Sequence, residues 1–183
     1  MIIAIIPAKG TSSRLPNKNM HLVLGKPMLQ YAIDYAKSSK RISNIYISTD
    51  DKKIADYAKS KKIEVIIRSN KLGGETPLLD VYKHALSSIN NHNVSILVGV
   101  QPDHPDRNIS LDEVLQIFEN QNLDLLSSTE LDGTKNGAYH MMSVESMLAG
   151  EFLNAGVIQD DCTNIHYQSD ISLAEERLKR LKQ

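Results

Sequence analysis

The sequence predicts an α/β fold: a three-layer α/β/α sandwich built on a mostly parallel sheet. Three observations carry this. Short, continuous apolar runs alternate along the chain with stretches whose apolar residues recur at helical spacing. Their order reads β-α-β-α-β-α-β-α-β, the pattern of parallel strands joined by crossover helices. The chain has 183 residues, 41% of them hydrophobic, a length that suits one core. No composition shift, linker or internal repeat divides it, so residues 1–183 read as a single domain.

Each element has its own reason. Residues 2–6 (Ile-Ile-Ala-Ile-Ile) are apolar at every position and stop at Pro7, as a strand buried on both faces requires. Residues 44–48, 63–67 and 94–100 read the same way, and 123–127 is a shorter fifth strand. Met28, Tyr31, Ala32 and Tyr35 fall on one face of a helix that begins near Pro27, a residue suited to a first turn. Residues 50–60 place Ile54, Ala55 and Ala58 on one face, with an acidic start that complements the helix dipole. Residues 77–89 and 110–120 are further helices, the second opening with the capping-box sequence Ser-Leu-Asp-Glu. The last helix, residues 173–181, is charged on one side and is expected to pack on the sheet.

Charge and cysteine usage narrow the class. With 21 Lys and Arg against 22 Asp and Glu, the formal net charge is -1, without the basic excess of a protein that binds nucleic acid. A single Cys cannot form an internal disulfide, which favours a reducing, cytoplasmic setting. The apolar N-terminal run is too short to span a membrane and lacks the basic flank of a signal peptide. A chain of this size buries roughly 70% of its unfolded surface, enough to fold without a metal or disulfide. These features describe a soluble domain, either an enzyme or a binding module.

In an open parallel sheet, ligands bind beyond the carboxyl ends of the strands. That rule directs attention to the loops after Ile6, Ser48, Ile67 and Val100. The first of these loops, residues 7–19, holds Lys9, Arg14 and Lys18, the hydroxyls of Thr11, Ser12 and Ser13, and Gly10. Gly10 lets backbone N–H groups approach an anion closely, and the cations neutralise its charge. Such a loop suits a polyphosphate. Neither the G-x-x-x-x-G-K-[ST] P-loop nor the dinucleotide G-x-G-x-x-G pattern is present, which argues against a dehydrogenase.

The same residues resemble a known family. Ile6-Pro7-Ala8-Lys9-Gly10, Asn17-Lys18-Asn19, Gly25-Lys26-Pro27 and Ile47-Ser48-Thr49-Asp50-Asp51 are similar to the cytidylyltransferases that make CMP-activated sialic acids and related nonulosonates. Arg14-Leu15-Pro16-Asn17-Lys18, preceded by Ser12, also resembles the sister enzymes that activate 3-deoxy-manno-octulosonate (Kdo). The resemblance runs nearly end to end, through Arg68, Thr76-Pro77 with Asp80, Gln101-Pro102, Asn136-Gly137-Ala138-Tyr139, and Asp170 before the last helix. It implies a Rossmann-like sandwich of the nucleotidyltransferase type.

What the resemblance implies can be carried over residue by residue. Lys9, Arg14 and Lys18, with Gly10, would hold the CTP triphosphate and stabilise the leaving pyrophosphate. Ala8 would meet the base through its backbone, Asn19 would face the triphosphate and its metal, and Arg68 would contact the base. Lys9 stands where the family usually has Arg, which keeps the charge and loses the bidentate fork. Sialate-type enzymes take magnesium ligands from a C-terminal Asp-x-Asp pair, but Gln168-Ser169-Asp170 lacks the first carboxylate. Asp103 instead stands where the Kdo enzymes carry the Asp of Gln-Gly-Asp-Glu-Pro. The resemblance therefore implies Mg²⁺ held by Asp103 and Asp170, since Mg²⁺ binds one or two carboxylates together with phosphate oxygens. Gln101 would touch the acceptor and Tyr139 would lie in its wall.

Other residues carry no assigned chemistry. His104 reads as a residue behind Asp103 or on the surface, and no general base is assigned. His84, His92 and His166 show no metal-ligand spacing, and Cys162 reads as a packed thiol. Relatives also carry a dimerisation arm between the fifth strand and Asn-Gly-Ala, and residues 129–135 leave little room for it. The short arm leaves both a homodimer and a nine-carbon acceptor open.

The expected reaction is Mg²⁺-dependent cytidylyl transfer from CTP to a small anionic acceptor, with release of pyrophosphate. Two alternatives stand beside it. One is a nucleotidyltransferase using GTP or UTP on a small phosphate or phosphonate, and the other is a non-catalytic nucleotide-binding relative.

Overall fold

The computed structural model describes residues 1–69, 72–73, 76–89 and 93–181. In chain order its elements are β1 (Ile2–Pro7), a 3-10 turn (Lys18–Met20), β2 (Leu22–Val23), β3 (Lys26–Pro27), α1 (Met28–Ser38), β4 (Ile42–Thr49), α2 (Lys52–Ser60) and β5 (Glu64–Ile67). They continue with α3 (Leu78–Ser88), β6 (Ile96–Val100), α4 (Leu111–Asn120), β7 (Leu125–Thr129), β8 (Lys135–Ser143), α5 (Val144–Ala149), β9 (Ala155–Gln159) and α6 (Gln168–Arg180).

Seven strands form one sheet in the order β5-β4-β1-β6-β8-β7-β9. β1 pairs in parallel with β4 and β6, β4 with β5, and β7 with β9, while β8 runs antiparallel to both its neighbours. The expected mostly parallel α/β sandwich is the observed one. All five expected strands are present, with β4, β6 and β7 differing from the expected bounds by two residues at one or both ends.

Period-two alternation explains how β1 serves two cores. Ala4 and Ile6 point to one face, where they join Leu29 and Ile33 of α1, Ala58 of α2, and Leu111 and Leu115 of α4. Ile3 and Ile5 point to the other, joining Tyr82 and Ala85 of α3 and Met147 of α5. The capping box is formed as expected: the Ser110 hydroxyl accepts from Glu113 N at 3.3 Å, and the Glu113 carboxylate accepts from Ser110 N at 3.1 Å.

Two expectations are corrected. The last helix starts at Gln168, and it does not pack on the sheet. Its buried Ile171, Ala174 and Leu178 meet Leu15, Val23, Met28 and Ile165 in a third, smaller cluster beside the β2–β3 hairpin. Its Glu175 carboxylate accepts from Leu24 N at 2.9 Å. The segment Asn136-Gly137-Ala138-Tyr139 lies at the start of strand β8. Residues 129–135 form a tight β7–β8 connection, with Glu130 N donating to Thr134 O at 2.7 Å and Thr134 N to the Asp132 carboxylate at 2.9 Å.

Candidate active site

A cleft of about 240 Å³ opens beyond the carboxyl ends of the parallel strands. Lys9, Arg14, Lys18 and Asn19 from the first loop line one side, Arg68, Thr76, Leu78 and Val81 the other, and Gln101, Asp103 and His166 also line it. Seven residues singled out from the sequence, Lys9, Arg14, Lys18, Asn19, Arg68, Gln101 and Asp103, thus share one cleft.

The first loop is folded back onto the end of β4. Ala8 N donates to Ser48 O at 2.9 Å, and Gly10 N donates to the Asp50 carboxylate at 2.8 Å. A Cβ on Gly10 would stand 2.6 Å from Asp51 Cβ, so the close approach requires glycine there. Asn19 Nδ2 donates to Lys9 O at 2.8 Å and ties the two ends of the loop together. Arg14 lies at the rim, its guanidinium 6.0 Å from the Tyr167 ring.

Asp103 is the most closely held group in the cleft. The Lys18 ammonium donates to its Oδ2 at 2.5 Å and to Ile165 O at 3.0 Å, while Ile165 N donates to Asp103 O at 3.0 Å. On its other side, Oδ1 stands 3.1 Å from His104 Nδ1. Burial alone would raise this carboxyl, but the His104 ring and the Lys18 ammonium outweigh it and hold it well below the usual carboxylate range.

Beneath the Gln101–Arg107 segment, Arg107 is a clamp. One guanidinium nitrogen donates to His104 O, another to Gln101 O and to Ala138 O (the latter at 2.6 Å), and the group stacks 5.0 Å over Tyr35. Asp106 accepts from Thr163 N and Oγ1 at 2.9 and 2.8 Å and pairs with Arg177 Nε at 2.9 Å. The loop after β6 is thereby joined to the segment that leads into α6.

Arg68 is buried, and its backbone N donates to Thr49 O at 2.9 Å. Burial pulls its guanidinium below the ordinary value, opposed by the Asp50 carboxylate. Among the described residues its Nε has no hydrogen-bond partner. Gln101 Nε2 donates to Gly137 O at 2.5 Å; at φ 75°, Gly137 takes a backbone turn that disfavours side chains, and a Cβ there would meet the Gln101 amide.

A family model described as cytidylyltransferase matches residues 3–149. The chain belongs to the cytidylyltransferase family. It is 29% identical over 119 residues to an 8-amino-3,8-dideoxy-manno-octulosonate cytidylyltransferase of Shewanella frigidimarina, a match covering 64% of this chain and 47% of that one. It is 30% identical over 123 residues to the 3-deoxy-manno-octulosonate cytidylyltransferase of Thermodesulfovibrio yellowstonii, covering 66% and 48%. The chain spans about half the length of the curated relatives it matches. Among solved structures, the fold is shared with CMP:2-keto-3-deoxy-manno-octonic acid synthetase complexed with CTP (TM-score 0.73, 15% identity, 99% of this chain and 98% of that one). It is also shared with a cytidylyltransferase of Leptospira borgpetersenii (TM-score 0.70, 17% identity, 99% and 93%).

Four residues expected at the site lie off the cleft lining: Ala8, Gly10, Tyr139 and Asp170. Tyr139 is fully buried, its ring stacked on Tyr35 with centroids 6.3 Å apart, and burial pushes its phenol up. Asp170 stands in the first turn of α6, where its Oδ2 accepts from His166 N and Tyr167 N, each at 2.8 Å. It lies below its ordinary value: burial opposes this, and the two N–H donors and the Ser169 hydroxyl outweigh burial. Cys162 is a packed thiol, buried and pushed up by desolvation. His92 lies outside the described residues.

Sequence reasoning missed one contributor. His166 lines the cleft, and burial together with the Lys18 and Arg14 cations pulls its ring below the ordinary value. No signal in the sequence pointed to it. His104, expected behind Asp103 or on the surface, is fully buried behind Asp103, with Nε2 donating to Asn136 O at 2.9 Å. No helix among the described residues is long and apolar enough to cross a membrane.

Proposed function

We propose that the chain catalyses transfer of a cytidylyl group from CTP to an oxygen of a small sugar acid of the Kdo or nonulosonate kind, with release of pyrophosphate. The observation that carries this reading is the meeting of Lys9, Arg14 and Lys18 with Asp103 in one cleft. A triphosphate needs the cations, and an attack by an acceptor oxygen on the α-phosphorus is accelerated mainly by positioning and charge neutralisation. The names of the relatives, all cytidylyltransferases of octulosonates, support the acceptor class.

On this reading, Lys9, Arg14 and Lys18 bind the β- and γ-phosphates and offset charge on the departing pyrophosphate. Gly10 and Ala8 bring backbone close to the nucleotide, and the buried Arg68 presents a fixed cation to it. Gln101 orients the acceptor from the end of β6.

Asp103 and Asp170 are the residues that would hold Mg²⁺, and their chemistry fits a hard cation that takes one or two carboxylates plus phosphate oxygens. Asp103 Oδ2 accepts from Lys18 while its Oδ1 faces His104 Nδ1, and Asp170 Oδ2 accepts from two backbone N–H groups while its Oδ1 accepts from Ser169 Oγ at 3.3 Å. When bound, Mg²⁺ would supply neutralisation of charge on the α-phosphate and acceptor. Among the described residues, no three His, Cys, Asp or Glu side chains gather as a metal cage. The reading further places the protein in the cytoplasm, and sedimentation decides whether it is a homodimer.

The test is pyrophosphate release with Mg²⁺, each of the four nucleoside triphosphates in turn, and an acceptor panel of Kdo, its 8-amino analogue, sialic acids, sugar phosphates and small phosphonates. Release with CTP and a sugar acid is expected. Release with GTP or UTP on a phosphate acceptor would replace this reading, and nucleotide binding without release in any pairing would make the chain a binding module.

A further inference from the structure

Asp103 is adjacent in sequence to a buried histidine that the proposed reaction does not use. The His104 ring is completely removed from solvent. Both of its nitrogens face oxygen acceptors: Nε2 donates to Asn136 O at 2.9 Å, and Nδ1 stands 3.1 Å from Asp103 Oδ1. The second contact falls short of an aligned hydrogen bond, and among the described residues neither atom has a hydrogen-bond partner. Each is therefore the nearest polar company the other has in a buried setting, where separating them is costly.

The far end of this contact is rigid. Asn136 is buried; its Oδ1 accepts from Ser128 Oγ at 2.5 Å and Ala138 N at 3.1 Å, and its Nδ2 donates to Asp160 O at 2.8 Å. Its carbonyl, the one His104 touches, also accepts from Asn164 Nδ2 at 3.1 Å. The next residue is Gly137, whose carbonyl receives the Gln101 side chain. Through one ring, the carboxylate of Asp103 is thus referred to the same bend of β8 that fixes Gln101.

We propose that His104 is a positioning residue for cytidylyl transfer: it holds the Asp103 carboxylate in register with the Asn136–Gly137 bend, so that Asp103 and Gln101 address the reacting oxygen and phosphate as a unit. This rests on the function proposed above. Lys18 secures one carboxylate oxygen, and it is also a phosphate ligand on that reading. When Lys18 turns to the nucleotide, His104 is what keeps Asp103 in place. Groups that orient a carboxylate bearing a metal or substrate are typically worth about 10- to 100-fold in activity.

Two substitutions separate positioning from simple packing, because each copies one ring nitrogen. The amide nitrogen of His104→Asn falls near Nδ1 and keeps the contact with Asp103; that of His104→Gln falls near Nε2 and keeps the contact with Asn136. If His104 relays the register of the Asn136–Gly137 bend to Asp103, each variant severs one end of the relay and both lose about 10- to 100-fold in kcat, with KM for CTP unchanged. Retention of kcat within about threefold in either variant, or kcat losses that simply follow the fall in Tm, would overturn the proposal. A second measurement does not depend on turnover. In protein labelled with ¹⁵N at histidine, Asp103→Asn is expected to displace the His104 Nδ1 resonance while Nε2 stays near its place. An unmoved Nδ1 resonance overturns the proposal. A wild-type protein that releases no pyrophosphate counts against the cytidylyl-transfer reading, and the resonance test still decides the contact.

Discussion

The Lys18 ammonium and the Asp103 carboxylate stand 2.5 Å apart across the cleft, each side chain only 11% exposed. The pair joins residues from the first loop and the loop after β6, so neither can be removed without leaving a nearly buried charge. Removing one partner of such a pair typically costs about 3 kcal/mol or more. Lys18→Met is therefore expected to lower stability by roughly that amount and to raise KM for CTP. Urea unfolding and steady-state kinetics on the same preparation check both effects.

Asp103→Asn and Asp170→Asn separate two kinds of carboxylate. Both variants are expected to lose turnover by at least about 100-fold if the pair holds Mg²⁺. Their stabilities should differ. Asp103→Asn loses the ionic contact with Lys18, whereas Asp170→Asn retains an oxygen for the N–H groups of His166 and Tyr167 and should cost about 1 kcal/mol. Pyrophosphate release together with thermal unfolding distinguishes a metal carboxylate from a helix-capping one; full turnover in Asp170→Asn would remove it from the metal site.

Gly10→Ala forces a Cβ to within 2.6 Å of Asp51 Cβ and 2.9 Å of its carboxylate. The Asp51 side chain is itself engaged, accepting from Ile54 N at 2.9 Å as the cap of α2. The strain, about 1–3 kcal/mol, should displace the first loop and weaken CTP binding by about tenfold, read by titration calorimetry.

Arg107→Lys tests the clamp under the loop after β6. An ammonium on a shorter, differently shaped stem cannot serve the carbonyls of Gln101, His104 and Ala138 at once. Leaving buried carbonyls unpaired costs about 1–3 kcal/mol each, so a loss of about 2 kcal/mol or more in urea unfolding is expected, with kcat falling as Gln101 and Asp103 lose their footing.

His140 predicts a pH dependence of stability. It is largely buried against Tyr82, and burial, with lesser contributions from Lys135 and His104, pulls its ring down to about 4. The unfolded chain takes up a proton near pH 6.5 while the folded one does not. Stability is therefore fully present above pH 6.5 and falls as pH drops toward 4. Between pH 7 and pH 5 this one group accounts for about 2 kcal/mol. Urea melts at the two values should show a loss in the wild type that is smaller by about 2 kcal/mol in His140→Phe.

The parallel half of the sheet was readable because strands buried on both faces must be apolar at consecutive positions, as residues 2–6 are. β9 was not: Val157 is 64% exposed on an edge strand, so burial imposes little pattern there. β8 was hidden because its Asn136 and Gly137 are used for turns and hydrogen bonds that mimic a loop in sequence. At the site, the cations of the first loop announce themselves by density within a dozen residues. The Lys18–Asp103–Ile165 junction could not be read, since it joins positions 85 and 147 residues apart from Lys18.

The third hydrophobic cluster has a consequence for the order in which the molecule takes shape. Leu15, Val23 and Met28 wait for Ile165, Ile171 and Leu178, and Leu24 is joined to Glu175 across 151 residues. Contacts of such long sequence separation are the slowest to close. A nascent chain released as far as β9 already holds all seven strands of the sheet. It has no second wall for Lys18, because Ile165 and His166 have yet to emerge. Competence of the cleft therefore follows synthesis of the segment that leads into α6 rather than formation of the sheet.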